Sequence, residues 1–513
     1  MTAWPASRRA VLGLALAFAV AAAVRLDRLS LEELTTDEAF SWRMTTYAPA
    51  EIVARTATDV HPPLYYLVLD AWTALGGDSP AALRGLSLLF GLAAVGLAYL
   101  LYVEVDRFAE ASTGRAGGLA AALLVGLHAD QVEHSRHVRM YGLGVMLAAL
   151  TAWLLLRALR RERGTALGWA AYAVAAAALC YTHYYGAFTI AAQLAAAALF
   201  LAQRWRASRV RPRAAAGLLA AAVSAAVLFA PWLSVLRRQT ARVSGDYWIH
   251  EAGSFDVAGA LVRWATGLEW TPPWPGVAIA AFAAAFLWAI ARGDRGQRFL
   301  ALQAGLPWVG ALGLSWIAGR TLFLERYLFF SQLALLVGLA RAWARLSPWP
   351  RRATAAVFGA LVVIGLVDEI GLRPVSPSSA QDGARLLARS VAAGDLVLAN
   401  APRDLNVVRY YLNRENADQI EMKTPASRSV GHLSQVSSIT SGEIVEEERV
   451  WTGPWPRVWR VRVHPPRKWR PDSPPVDWVP VFTRVFEGPA ATRLLIVEYQ
   501  RVTPGPPAIP HTR

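Results

Sequence analysis

Two short stretches near the start of the chain hold residue types suited to chemistry at a membrane surface. Asp37 and Glu38 form an acidic pair after Thr35-Thr36, and Asp59-Val60-His61-Pro62-Pro63-Leu64-Tyr65-Tyr66 follows. A carboxylate within reach of a hydroxyl can act as a general base. A histidine or arginine beside a helix N-terminus can complete a phosphate site. A plainer alternative stands beside each. Threonine and acidic residues at a helix start serve as caps, and Asp59 and His61 could be ordinary loop residues. Further along, Arg136 and Arg139 are three apart with Tyr141 just after. They stand at the entrance to a membrane span, and that spacing puts both guanidiniums on one helix face. There they either meet an anion such as a lipid phosphate or simply snorkel to the interface. His183 lies within Tyr181-Thr182-His183-Tyr184-Tyr185, a run that an interfacial aromatic belt also explains. Arg320, Glu325, Arg326 and Tyr327 form a last polar group, which could instead pair with its neighbours.

The elements that must position these residues are membrane helices. Of 513 residues, 55% are hydrophobic and only 17% charged, against about 25% charged in an ordinary soluble chain. The apolar residues come in long blocks, such as 83–103, 214–235 and 299–317, and about 20 apolar residues span a bilayer. The net charge is +15. Its arginines fall between the apolar blocks, at 157–163, 204–213, 292–298 and 341–352, as short cytoplasmic loops require. That topological role explains the basic balance without nucleic acid. The single cysteine, Cys180, lies in an apolar run and builds neither a disulfide framework nor a thiolate metal site.

Placing Arg8-Arg9 inside predicts a first span over 8–25 and a long outer loop over 26–80. Pro62-Pro63 then starts a short hydrophobic helix over 64–75, ended by Gly76-Gly77. Further spans are expected at 81–103, 117–130, 139–157, 166–182, 185–203, 214–236, 274–291, 299–318, 323–343 and 353–371, with a second outer loop over 237–273. The fold expected is an all-α polytopic membrane protein of about 11 transmembrane helices. Residues 1–371 form its membrane domain. The remainder, 372–513, is expected to be an extracytoplasmic α/β domain. Helices are predicted there at 380–391 and 403–412, and strands at 395–399, 458–463 and 493–502. The stretch 465–480 is rich in turn residues.

No Gly-rich nucleotide loop or Walker motif is present. Histidines and carboxylates share the outer loops, so a divalent metal is chemically compatible, though no spacing argues for one. A polytopic lipid or solute transporter without transferase activity is the alternative reading. Transporters show internal repeats and mid-span polar residues, whereas here no clear repeat is visible and the polar residues cluster at the outer ends.

The ordered set of motifs resembles a known family, the polyprenyl-phosphate-sugar-dependent glycosyltransferases of the GT-C fold. In particular it resembles the branch related to protein O-mannosyltransferases and the lipid A aminoarabinose transferase. Thr36-Asp37-Glu38-Ala39-Phe40 resembles that family's acidic motif, and His61-Pro62-Pro63-Leu64-Tyr65-Tyr66 its second signature. Ser135-Arg136-His137-Val138-Arg139-Met140-Tyr141 is similar to a third, usually Ser-Gln-Glu-Ala-Arg-Met-Tyr. Thr182-His183-Tyr184-Tyr185 and Glu325-Arg326-Tyr327-Leu328 match further pieces. The resemblance covers roughly 1–371, and Gly394-Asp395-Leu396-Val397-Leu398 resembles the start of the tail domain in bacterial members. His137 departs from the pattern by standing where many relatives carry Glu, so a carboxylate role there would pass to Glu133 or Asp59, or be absent.

The resemblance implies an inverting transferase of the bacterial cytoplasmic membrane, with its active site and tail domain outside. The implied donor is a sugar on a polyprenyl phosphate, and the acceptor is a hydroxyl on a protein, lipid or glycan. Asp37, beside Glu38, would take the acceptor proton. His61, Arg139 and Arg326 would stabilise the leaving phosphate. Asp59, Arg136, Tyr141, His183 and Tyr327 would line the substrates.

Overall fold

The structure is a computed structural model that describes residues 8–27, 29–161, 165–209, 213–245, 251–370, 378–426, 433–465, 474–488 and 493–502. The expected domain boundary at 371/372, Arg211 and part of the turn-rich stretch 465–480 lie outside these residues. Contacts divide the chain into two compact units. The first comprises Met1–Leu29, His61–Gly77 and Ala81–Leu372, and the second Ser30–Val60, Asp78–Pro80 and Arg373–Arg513.

The first unit is helical. Among the described residues, eight helices are long and apolar enough to cross a membrane, and three shorter apolar helices, Ala10–Leu26, Arg115–Leu127 and Ala166–Thr182, accompany them. Apolar side chains face outward on the peripheral spans. Trp288 on Pro275–Arg292 is 64% exposed and Val363 on Pro348–Ile370 is 60% exposed. Water would penalise such surfaces heavily and lipid does not. The chain is a multi-pass membrane protein.

Inside the bundle, small residues let helices approach closely. A Cβ added at Gly91 would fall 2.4 Å from the Ser135 side chain, and one at Gly144 would fall 2.2 Å from the Phe330 ring. Buried arginines join segments distant in sequence. Arg25 Nε donates to Ser135 Oγ at 2.7 Å and its Nη1 to the Gly126 carbonyl at 2.5 Å. At the far end of the spans, Arg160 pairs with Glu104 at 2.7 Å, and Arg341 with Asp106 at 2.8 Å and Asp294 at 2.7 Å. Helix Tyr141–Arg160 has 20 residues, which separates this charged end from Tyr141 by about 30 Å.

Several sequence expectations are corrected. The tip between the spans at 117–130 and 139–157 is itself a helix, Ala129–Arg136. Arg136 ends that helix and Arg139 precedes the next, Tyr141–Arg160, so the two do not share a helix face. The chain turns extended at His137 (φ −93°, ψ 144°), Val138 is fully buried, and Gly142 lies close against the Ser87 carbonyl. Tertiary packing sets this break. The segment expected as a loop over 237–273 contains the amphipathic helix Ser254–Thr266, which buries Ala258, Ala260 and Trp264. The tenth span begins as the single turn Glu325–Leu328. It passes through a 3₁₀ turn, Phe329–Ser331, before continuing as Gln332–Ala344.

The second unit holds a six-stranded sheet of β1 (Leu396–Ala399), β2 (Met422–Pro425), β3 (Ile444–Val445), β4 (Arg457–Val463), β5 (Trp478–Glu487) and β6 (Arg493–Arg501). The spatial order is β3-β2-β1-β4-β6-β5. The first four are parallel, β6 runs antiparallel to β4, and β5 antiparallel to β6. Helices Ser379–Ser390 and Pro402–Arg414 have strong apolar faces that cover the sheet. Residues Ser30–Val60 are part of this unit. Arg43 forms a two-pronged pair with Glu443 at 2.8 and 3.0 Å, and Arg55 donates to the Ser437 and Ile439 carbonyls. The Leu34 amide donates to the Tyr411 hydroxyl at 2.9 Å. The fold class is thus the expected one, a helical membrane bundle with a small C-terminal α/β sheet.

Candidate active site

In the first unit the sequence-derived residues converge around one histidine. His61 opens the second segment of this unit, and Pro63 precedes helix Leu64–Gly76, which Gly77 terminates at φ 74°. That helix buries Tyr65 and Tyr66. The Tyr65 hydroxyl meets Ser87 Oγ at 3.1 Å, and the Tyr66 hydroxyl accepts from Arg139 Nη1 at 3.5 Å. His183 caps helix Ala166–Thr182. Its ring lies 5.7 Å from that of His61, 4.6 Å from that of Tyr327 and 5.3 Å from that of Phe330. The Arg326 guanidinium stands 5.7 Å from the Tyr327 ring centre.

The electrostatics of this cluster follow from burial. His61, Arg139 and His183 are each more than nine-tenths buried. Burial holds His183 well below the usual imidazole range, and the neighbouring charges of His61, Arg139 and Arg326 push the same way. Desolvation and like charge both disfavour a further proton. His183 is therefore neutral at physiological pH. The Tyr185 amide donates to its Nδ1 at 3.2 Å, which leaves the ring proton on Nε2. The buried Arg139 guanidinium, a second imidazole and a neutral N–H donor thus lie together, with the exposed Arg326 guanidinium beside them, an arrangement that stabilises an anion.

Other sequence-derived residues of this unit play different parts. Arg136 Nη2 donates to the Asp27 carbonyl at 2.8 Å. The Tyr141 ring packs 4.9 Å from that of His134, which itself stacks on Phe329 at 4.2 Å. Sequence reasoning missed Arg263. Its guanidinium meets Asp130, Glu133 and Glu269, each at 2.5 Å, with Glu325 at 3.8 Å. Gln332 Nε2 donates to the other Asp130 oxygen at 2.9 Å. The spacing of Asp130 and Glu133 on one helix face was the only local hint.

In the second unit, Asp37, Glu38 and Asp59 lie on or beside two short helices. Thr35 and Glu38 form a capping box at the start of Thr36–Met44. Thr35 Oγ1 accepts from the Glu38 amide at 3.2 Å, and Glu38 Oε2 accepts from the Thr35 amide at 2.9 Å. Glu38 is fully buried. Asp37, one residue earlier and partly exposed, accepts from Gln435 Nε2 at 3.3 Å. Asp59 ends helix Pro49–Thr58 and is buried. Among the described residues no three His, Cys, Asp or Glu side chains gather as metal ligands would.

A multi-pass helical bundle with a tail α/β sheet is the GT-C fold that the sequence predicts, and its likeness to ArnT bears this out. Residues 60–234 match the family model described as Dolichyl-phosphate-mannose-protein mannosyltransferase. The fold is similar to the crystal structure of ArnT from Cupriavidus metallidurans in the apo state, at 14% identity and a TM-score of 0.60, covering 95% of this chain and 97% of that one. It is similar too to the same protein bound to undecaprenyl phosphate, at 14% identity and a TM-score of 0.58, with the same coverage. At such identity the likeness shows the fold. No curated protein sequence matches the chain.

Proposed function

We propose that the chain is an inverting membrane glycosyltransferase that moves a sugar from a polyprenyl phosphate to a hydroxyl acceptor at the outer face of the bacterial cytoplasmic membrane. The observation that carries the proposal is the cluster of buried His61 and Arg139 and exposed Arg326 around neutral His183. A lipid-linked phosphate is an anion delivered at a bilayer surface, and it gains negative charge as it leaves the sugar. Preorganised cations stabilise that change, commonly by several kcal/mol. The family match over 60–234 and the ArnT-like fold support the same reading. So does the undecaprenyl phosphate carried by the second ArnT structure.

The proposed steps are few. Asp37 accepts the proton of the acceptor hydroxyl as its oxygen attacks the anomeric carbon. The bond to the phosphate oxygen breaks, configuration inverts, and the polyprenyl phosphate departs toward Arg139, Arg326 and His61. His183 donates through Nε2–H, and Tyr327 and Tyr141 shape the substrate region. Glu38 holds the helix that carries Asp37, Arg136 fixes the segment preceding Arg139, and Asp59 lies two residues before His61. Labelled polyprenyl-phosphate sugars offered to membranes containing the protein test the proposal. At least one sugar should be transferred by the wild type and none by Asp37→Asn. Full transfer by Asp37→Asn would remove the base assignment.

A further inference from the structure

We propose that Gln435 is a positioning residue for the Asp37 base, so that the tail of the chain takes part in the reaction through a side chain of its own. Both residues belong to the second unit, although 398 positions separate them. Gln435 Nε2 donates to Asp37 Oδ1 at 3.3 Å, and both side chains are half-buried. An ionised carboxylate only accepts, so the amide must face it with its nitrogen. The turn that carries Gln435, Leu433–Ser438, is held from several sides. Ser438 Oγ donates to the Gln435 carbonyl at 2.7 Å, and Asn406 Nδ2 donates to Ser438 Oγ at 2.8 Å. The Tyr47 hydroxyl donates to the Ser438 carbonyl at 2.6 Å, and Arg55 donates to the carbonyls on either side of it. Tyr47 and Arg55 follow Asp37 closely in sequence. The segment that bears the base therefore grips the turn that bears its partner.

Stability does not account for this amide. Gln435 Oε1 is buried and meets no hydrogen-bond partner among the described residues. An unmet buried acceptor is costly, and an apolar side chain of similar size would avoid that cost. A polar group kept at such a cost against a carboxylate points to chemistry rather than to packing. The Nε2–H bond supplies two things. It favours the ionised form of Asp37, which is the form that can accept a proton. It also fixes the direction of the carboxylate, and a base must be aligned with the hydroxyl it serves. Casting Gln435 as the partner of a base rests on the proposed function, whereas the contact itself does not.

Two measurements on the full-length protein in lipid nanodiscs test the proposal. Infrared titration with isotope-labelled aspartate reads the Asp37 carboxyl without turnover, its band being identified by its loss in Asp37→Asn. The midpoint should rise by about half a unit or more in Gln435→Leu, rise further in Gln435→Glu and fall in Gln435→Lys. Gln435→Leu should melt no lower than the wild type, because the amide it removes carries an unmet oxygen. In transfer assays the same variant should lose at least tenfold in kcat, with the donor KM changed less than threefold. The acid limb of its kcat profile should move with the infrared midpoint, a shift that a merely structural role would not produce. An unchanged midpoint in Gln435→Leu would overturn the contact. A wild-type kcat and pH profile in that variant would overturn the positioning role. Absence of transfer by the wild type, with the midpoint still shifted in the variants, would overturn the proposed function and leave the contact standing.

Discussion

The rings of His61 and His183 lie 5.7 Å apart and tilted by 54°, joining the residue before the Pro-Pro helix start to the C-terminal cap of helix Ala166–Thr182. Two imidazoles that close, with Arg139 and Arg326 alongside, cannot all be charged at low cost. His183 is the one that yields its proton.

A stability effect follows from that neutrality. The unfolded imidazole titrates near 6.5, and the folded one below it. Below pH 6.5 the unfolded chain binds the extra proton, so stability falls as pH drops. The loss from this group is about 1.4 kcal/mol per pH unit until the folded value is reached. Thermal unfolding from pH 7.5 to 5 should therefore be steeper for the wild type than for His183→Gln. Equal slopes would place His183 outside the charged cluster.

Removal of Arg139 should act on donor use. A hydrogen bond to a charged group contributes about 1.5–3 kcal/mol, so Arg139→Ala should raise the KM for a lipid-linked donor roughly 10- to 100-fold. The bond from Arg139 to Tyr66 is long at 3.5 Å. Tyr66→Phe should change the same KM less than about threefold, since long bonds are weak.

The acidic pair should divide into two roles. Thr35→Ala removes the cap and should lower stability by about 1 kcal/mol, and Glu38→Gln should destabilise the same helix start. Asp37→Asn should leave the melting temperature unchanged while transfer is lost. Parallel calorimetry and transfer assays on the three variants separate capping from chemistry.

In the second unit, burial raises the Asp404 carboxyl to about 7, despite Arg403, Arg462 and the Val463 amide, which lower it. Its unfolded value is 3.8, so the folded state retains a proton that the unfolded state releases. Stability should then fall as pH rises from about 4 to 7, by about 1.4 kcal/mol per unit. Asp404→Asn should flatten that decline and raise the melting temperature at pH 7.5. An unchanged profile would contradict the assignment.

What was legible in the residues was whatever local chemistry controls. Pro62-Pro63 and Gly77 bracket helix Leu64–Gly76 almost as expected, and the apolar blocks mark the spans. Helix Pro402–Arg414 and strands β1, β4 and β6 also lie where the periodicity placed them. The break between Arg136 and Arg139 was not legible, because neither proline nor glycine marks it and packing against Ser87 and burial of Val138 set it. Strand β5 was hidden by Pro480, which an edge strand tolerates at its register shift. The Arg263 network joins segments more than 100 residues apart in sequence, and no local pattern reports such a contact.

The proposed function stands on the charge around His183. Purified protein should therefore be tested for retention of undecaprenyl phosphate against undecaprenol, which shares the chain and lacks the anion. The expected result is preferential binding of the phosphate by the wild type, reduced at least tenfold in Arg139→Ala and Arg326→Ala. Equal retention of the alcohol and the phosphate, or undiminished preference in both variants, would contradict it.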